Sequence, residues 1–137
     1  MRWLAALPLL ALVSACAMSP PEPAGQRFPV FFVPMTSTLG PAGDQVVSSA
    51  AHFAEQYKDK PVTLVAYGAP PGHHYVEPAD IDTLRAQAVT AQLIADGVSK
   101  DRIAAVAKGP EQPGVPMSKI EVRRVDIVVG VAPPALQ

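Results

Sequence analysis

Two stretches of the chain repeat apolar residues at intervals of three and four, the spacing of one face of an α-helix. The first covers residues 44–57. The second begins at Pro78 or Asp80 and ends at Asp96, where Gly97 supplies a natural helix stop. The pattern therefore predicts two amphipathic helices, each with an apolar face toward a core.

Four shorter runs are rich in β-branched and aromatic residues and predict strands. They cover residues 28–33, 62–67, 103–107 and 120–131. In the last run Val125, Ile127, Val129 and Val131 share one face, and Arg124, Asp126 and Val128 share the other. The resulting order is strand, helix, strand, helix, strand, strand.

This β-α-β-α-β-β order predicts an α+β fold, a two-layer sandwich of two helices packed on a mixed sheet. The last two strands are consecutive and can pair as a hairpin with a long loop. The 137 residues are enough for one core and too few for two. A net charge of −1 gives no basic face, so nucleic acid is not an expected partner.

The start of the chain has the order of a secretory signal. Arg2 provides one positive charge, and the apolar run 3–13 and two small residues follow it. The run is about half the roughly 20 apolar residues that a transmembrane helix needs. Residues 13–16, with the sequence VSAC, resemble the bacterial lipobox, in which cleavage occurs just before the cysteine.

Cys16 is the only cysteine of the chain, so it cannot form an internal disulfide bond. The lipobox resemblance implies that it becomes the first residue of the mature protein and carries three acyl chains, which hold it to a membrane. In such signals an aspartate after the cysteine favours the inner membrane. Ala17 stands there instead and points to the outer membrane. An ordinary signal peptide with a chance cysteine is the alternative.

These features divide the chain into four parts. Residues 1–15 are expected to be a lipoprotein signal peptide, and residues 16–27 a lipidated, proline-rich tether between membrane and domain. Residues 28–131 form the folded domain, and residues 132–137 are a C-terminal tail.

The sequence contains no recognisable set of catalytic or metal-binding residues. His73 and His74 are adjacent and point apart, while His52 lies on the first predicted helix, so no standard metal-ligand spacing is present. Ser48 and Ser49, beside His52, lack a nucleophile pattern. We therefore expect no enzyme, no metal and no cofactor.

Several short motifs follow one another in an order that resembles a known family. They are Val30-Phe31-Phe32, the segment TLGPAG at 38–43, LRAQAV at 84–89, LIADGV at 93–98 with the following Asp101-Arg102-Ile103, GPEQP at 109–113, and Arg123-Arg124-Val125-Asp126-Ile127. Together, over about residues 30–129, they resemble the OmpA-like C-terminal domain. The resemblance implies a periplasmic module that binds peptidoglycan.

The resemblance also implies a site for the diaminopimelate side chain of the peptidoglycan stem. In the family an aspartate after the second strand holds its ammonium group, and a helix arginine holds its carboxylate. Arg85 occupies the arginine position, where a guanidinium can pair with a carboxylate through two hydrogen bonds. No acid stands at the aspartate position, near Ala69, and this loss removes a charge-assisted hydrogen bond of roughly 1.5 to 3 kcal/mol.

Other positions complete the expected site. Glu77, Asp80 or Asp82 could supply a substitute acid, since each lies within a few residues of Arg85. Two family asparagines are replaced, by Pro78 and Val122. Arg123 is expected to serve the ligand cleft as in the family, whereas Arg124 can pair with Asp126 on its own face of the strand. The predicted peptidoglycan-binding residues are therefore Arg85, Arg123 and Asp82.

Two functions follow from this reading. The first is a non-catalytic tether, with its lipid in the outer membrane and its domain touching peptidoglycan in the periplasm. The second is a lipoprotein that binds another envelope protein and has lost the wall-binding site, which the replacements at Ala69, Pro78 and Val122 favour.

Overall fold

The computed structural model describes residues 25–68, 77–109 and 123–130 of the chain. The predictions for the signal peptide, Cys16, most of the tether and the tail lie outside these ranges. So do Ala69, Val122 and the His73-His74 pair. Within the described ranges, no helix is both long enough and apolar enough to cross a bilayer.

The described elements follow the predicted order of strands and helices. They are β1 (Gln26–Phe31), α1 (Pro41–Gln56), β2 (Val62–Tyr67), α2 (Ile81–Ala95), a short 3-10 turn (Lys100–Arg102), β3 (Ile103–Gly109) and β4 (Arg124–Val129). The prediction for β2 is confirmed residue for residue, and both helices agree with their predictions to within a few residues. The 3-10 turn was not predicted.

The four strands form one mixed sheet in the order β1-β4-β2-β3. β4 is antiparallel to both of its neighbours, and β3 runs parallel to β2 at the edge. The predicted hairpin between the last two strands is therefore wrong. Every residue of β4 is buried on both faces, which suits a central strand. β3 is dominated by small alanines and lies at the edge, paired with β2.

The core lies between the two helices and one face of the sheet. Val30 of β1, Leu64 of β2 and Ile127 of β4 are fully buried there. The predicted alternation along β4 is confirmed, because Val125, Ile127 and Val129 belong to this core whereas Arg124, Asp126 and Val128 do not. The helices cover the sheet with Val47, Ala50, Ala51 and Ala54 from α1 and with Ala86, Val89 and Leu93 from α2. The several alanines let the two layers approach closely.

Arg102 ties the end of α1 to the start of β3. Its guanidinium donates hydrogen bonds to the carbonyl oxygens of Ala54, Tyr57 and Lys60, at 2.9, 2.9 and 3.0 Å. It also lies 3.4 Å from a carboxylate oxygen of Glu55. The last carbonyl groups of a helix have no partner within the helix, so a cation at this place satisfies them and complements the helix dipole.

We expect Arg102→Ala to lower the free energy of unfolding by roughly 2 to 3 kcal/mol, because hydrogen bonds from a charged donor to three carbonyl groups are lost. Urea unfolding followed by circular dichroism measures the change. Lys58→Ala is the matched control, since Lys58 lies at the same helix end with 75% of its side chain exposed, and it should change stability by about 0.5 kcal/mol or less. Equal effects of the two substitutions would contradict this role of Arg102.

Candidate functional site

Arg85, the predicted ligand arginine, lies near the start of α2 and is directed toward one end of the sheet. Its side chain is fully buried, with 0% exposure. The guanidinium carbon is 5.3 Å from the centre of the Phe32 ring, which is also buried. A buried guanidinium must be paired and hydrogen-bonded, because an isolated charge in the interior is strongly unfavourable.

Glu77, in the segment before α2, supplies that pairing directly. Nη2 of Arg85 is 2.6 Å from Oε1 of Glu77, and Nη1 is 3.1 Å from Oε2. The two groups therefore form a bidentate ion pair. The Glu77 side chain is itself only 3% exposed. Because the charges are in direct contact, no ligand lies between them in this arrangement.

The loop after β1 completes the cluster. Nε of Arg85 donates a hydrogen bond to the carbonyl oxygen of Thr36 at 3.0 Å, and Nη2 lies 3.5 Å from the carbonyl oxygen of Val33. The backbone N–H of Met35 donates to Oε1 of Glu77 at 3.1 Å. The Arg85 guanidinium and the Met35 N–H thus form one set of donors around a carboxylate. We call this set the carboxylate cradle, and Glu77 fills it.

Met35 has an unusual backbone conformation, with φ at 64°. The left-handed region costs a residue with a side chain roughly 1 to 2 kcal/mol. Pro34 precedes it, and the N–H of Thr36 donates to the carbonyl oxygen of Val33 at 3.3 Å, as in a type II turn. Glycine or asparagine would be usual at the Met35 position. Strain of this kind concentrates at binding sites.

Glu77 is the acid that reaches Arg85, among the three that the sequence offered as substitutes. Asp80 immediately precedes α2 and is exposed. Asp82 is buried at 5% exposure, and its Oδ1 accepts the N–H of Thr83 at 2.7 Å. From the sequence, Asp82 was the predicted site residue and Glu77 only an alternative. Proximity along the chain could not rank the three, because the backbone between Glu77 and α2 decides which acid reaches the arginine.

Arg123 lies beside Phe32, just beyond the paired ends of β4 and β1, since its carbonyl oxygen accepts the Phe32 N–H at 2.9 Å. The two predicted arginines, Arg85 and Arg123, are therefore brought to the same end of the sheet with Phe32 as a common neighbour. Nε of Arg123 is buried, and no described residue accepts a hydrogen bond from it. A buried donor left in this way is costly, so it can gain from a ligand acceptor.

Arg124 takes part in a separate cluster on the opposite face of the sheet. Its Nε donates to Oδ1 of Asp126 at 2.9 Å, and its guanidinium stacks on the Tyr67 ring at 4.6 Å. The predicted pairing of Arg124 with Asp126 is confirmed. Asp126 also lies 3.4 Å from Nη1 of Arg27. This second cluster has a structural role, because the buried carboxylate of Asp126 on β4 contacts Arg27 on β1.

Exposed apolar side chains border the cradle. Phe31, Val33 and Met35 alternate along the end of β1 and the following loop, and each is about half exposed or more. Apolar surface next to a charged cluster is typical of interaction sites. A groove of about 590 Å³ between α2 and β3 holds none of the predicted site residues. Within the described ranges, no group of three or more potential metal ligands occurs.

A comparison with family models finds a match to the OmpA family over residues 31–126. No match to an individual curated protein was found by sequence.

Solved structures share the fold. The OmpA-like domain of FopA1 from Francisella tularensis is 22% identical, with a TM-score of 0.64 over 76% of this chain and 71% of that one. The peptidoglycan-associated lipoprotein from Burkholderia pseudomallei is 20% identical, with a TM-score of 0.63 over 74% and 88%. The periplasmic domain of Helicobacter pylori MotB is 14% identical, with a TM-score of 0.64 over 81% and 79%.

Proposed function

The chain belongs to the OmpA family, whose domains are non-catalytic, and on this premise we propose that it is an outer-membrane lipoprotein whose domain contacts peptidoglycan in the periplasm. In this proposal residues 1–15 are removed, Cys16 carries the lipid, and the segment from Cys16 to the start of β1 forms the tether, because Gln26 and Arg27, predicted as tether, belong to β1. The lipobox resemblance and the single cysteine support the anchor. A protein of the same fold is a peptidoglycan-associated lipoprotein, and this supports peptidoglycan as the proposed ligand.

The carboxylate cradle is the observation that carries the proposed contact with peptidoglycan. It holds one carboxylate in bidentate geometry at the end of the sheet. The carboxylate of diaminopimelate has the same shape and charge as that of Glu77, so it can make the same hydrogen bonds to Arg85. Arg85 is the proposed anchor of the ligand.

Arg123 and Asp82 are the other proposed ligand residues. Arg123 offers a buried Nε that has no hydrogen-bond partner in the part of the chain that the structure describes, which favours an acceptor on the stem peptide. Asp82 lies one helical turn before Arg85 and is proposed to face the ammonium group of diaminopimelate. Its carboxylate then replaces the acid that the family carries near Ala69.

A second candidate function is binding of another envelope protein without peptidoglycan. The direct contact between Glu77 and Arg85 favours it, since a carboxylate from the chain itself already occupies the arginine. The exposed Phe31, Val33 and Met35 suit a protein partner as well. Co-purification of a stoichiometric envelope protein, together with no retention on peptidoglycan, would support this second function.

Sedimentation with purified sacculi distinguishes the two functions. We expect Arg123→Gln to weaken binding about tenfold to hundredfold, because a hydrogen bond from a charged group contributes roughly 1.5 to 3 kcal/mol. Lys58→Gln is the control of equal charge change, since Lys58 follows the end of α1 with 75% of its side chain exposed, and it should bind like the wild type. No binding by the wild type would exclude the peptidoglycan function.

The lipid anchor has its own test. Cells labelled with radioactive palmitate should incorporate the label into the wild-type protein and not into Cys16→Ser, because the thioether requires the only thiol of the chain. Cys16→Ser should also keep its signal peptide and migrate more slowly on a gel. Equal labelling of both proteins would contradict lipidation at this residue.

A further inference from the structure

We propose that Glu77 is an internal competitor for the carboxylate cradle, so that a free carboxylate binds this domain only by displacing Glu77. The inference rests on the proposed function for the identity of the natural ligand. The displacement of Glu77 by a free carboxylate is inferred from the contacts of Glu77, Arg85 and Met35.

The contacts define where a free carboxylate must bind. Oε1 of Glu77 accepts two hydrogen bonds, from Nη2 of Arg85 at 2.6 Å and from the N–H of Met35 at 3.1 Å. Oε2 accepts a third, from Nη1 of Arg85 at 3.1 Å. The remaining Arg85 nitrogen, Nε, is taken by Thr36. A second carboxylate therefore finds no equivalent set of donors while Glu77 is in place.

The cost of the arrangement argues for a binding role. A buried ion pair is weak evidence for stability, because well-packed apolar residues of similar volume often do as well. This one also depends on Met35 in a left-handed conformation that is unfavourable for methionine. A fold that keeps a charged, strained donor set in position is pre-organised to hold a carboxylate.

Attachment to the same chain gives Glu77 a strong advantage over a free ligand. The effective concentration of a group held by a short linker is on the order of millimolar or more. Small free carboxylates should therefore not displace Glu77 from the wild-type cradle. A ligand that succeeds must add contacts elsewhere, and Arg123 and the exposed apolar side chains beside the cradle are placed to provide them.

The test is chemical rescue with acetate, using the full-length protein purified in detergent. Glu77→Ala empties the cradle, and Glu77→Gln keeps its shape without the charge. Melting temperatures are measured by calorimetry in sodium acetate and in sodium chloride of equal ionic strength. We expect acetate to raise the melting temperature of Glu77→Ala saturably, to raise that of Glu77→Gln less, and to leave the wild type unchanged relative to chloride.

The outcomes separate this inference from the proposed function. If Glu77→Ala is unfolded in chloride, folding induced by acetate supports binding of a free carboxylate in place of Glu77. Failure of acetate to stabilise or fold Glu77→Ala overturns it, and so does an equal effect of acetate on the wild type. If the wild type does not bind sacculi and acetate still rescues Glu77→Ala, the peptidoglycan function fails while the cradle remains a carboxylate site.

Discussion

Arg85→Ala should lower the free energy of unfolding by about 3 to 5 kcal/mol, because removing one partner of a buried ion pair leaves the other charge buried without that partner. In this variant the Glu77 carboxylate, which is only 3% exposed, loses its ion-pair partner Arg85. The carbonyl oxygen of Thr36 loses its donor as well. Urea unfolding followed by circular dichroism measures the loss, which is a large share of the stability of a small domain.

A double substitution tests whether the loss comes from the unpaired charge. Arg85→Met combined with Glu77→Leu removes both charges and keeps apolar volume, so it should be much more stable than Arg85→Ala. A loss below about 1 kcal/mol for Arg85→Ala would mean that the ion pair is not buried as described. Equal losses for the single and double variants would show that packing, and not charge, is responsible.

Asp126→Ala should produce a second large loss, about 3 kcal/mol or more, because Asp126 is 2% exposed and holds the buried Arg124 in the centre of the sheet. Its removal also leaves two arginines, Arg124 and Arg27, without their shared carboxylate. Their mutual repulsion then adds to the loss of the hydrogen bond. Thermal and urea unfolding should both report it.

The matched control removes the other partner of the same carboxylate. Arg27 has 63% of its side chain exposed and lies 3.4 Å from Asp126, so Arg27→Ala should cost no more than about 1 kcal/mol. A ranking in which Arg27→Ala destabilises more than Asp126→Ala would contradict the described roles of the two arginines. The contrast isolates burial as the cause, because both arginines contact one acid.

The local pattern of the sequence was sufficient to predict the order of the α-helices and strands. The helical spacing in α1 and α2 and the β-branched run of β2 are short-range signals, and packing did not override them. The pairing of Arg124 with Asp126 was also predictable, because residues two apart on a strand share a face. The family motifs placed Arg85 and Arg123 at one site, and both lie beside Phe32.

The remaining features depend on contacts between distant parts of the chain. β4 lies between β1 and β2 because it is the strand that is buried on both faces. The hairpin prediction was wrong because it assumed that strands consecutive in the chain also pair in the sheet. The contact of Glu77 with Arg85 depends on the path of the segment before α2. Met35 carries no sequence signal for a left-handed conformation, since glycine or asparagine would be usual there.

The structure gives Arg85 two tasks that the sequence did not separate. It stabilises the domain by joining α2, Glu77 and the loop after β1. It also presents the geometry that a ligand carboxylate requires. Substitution of Arg85 alone therefore cannot distinguish lost binding from lost folding, which is why Arg123 and Glu77 are the better positions for functional tests.

A titration with soluble muropeptides that contain diaminopimelate, followed by nuclear magnetic resonance, shows whether the carboxylate cradle binds diaminopimelate. We expect saturable shifts of the Met35 amide and of the Arg85 and Arg123 Nε–H signals, with smaller changes on β3. The same titration with muropeptides that lack diaminopimelate should give weaker shifts. Saturable binding that leaves the signals of Met35, Arg85 and Arg123 unchanged, or no binding at all, would mean that the cradle does not bind diaminopimelate.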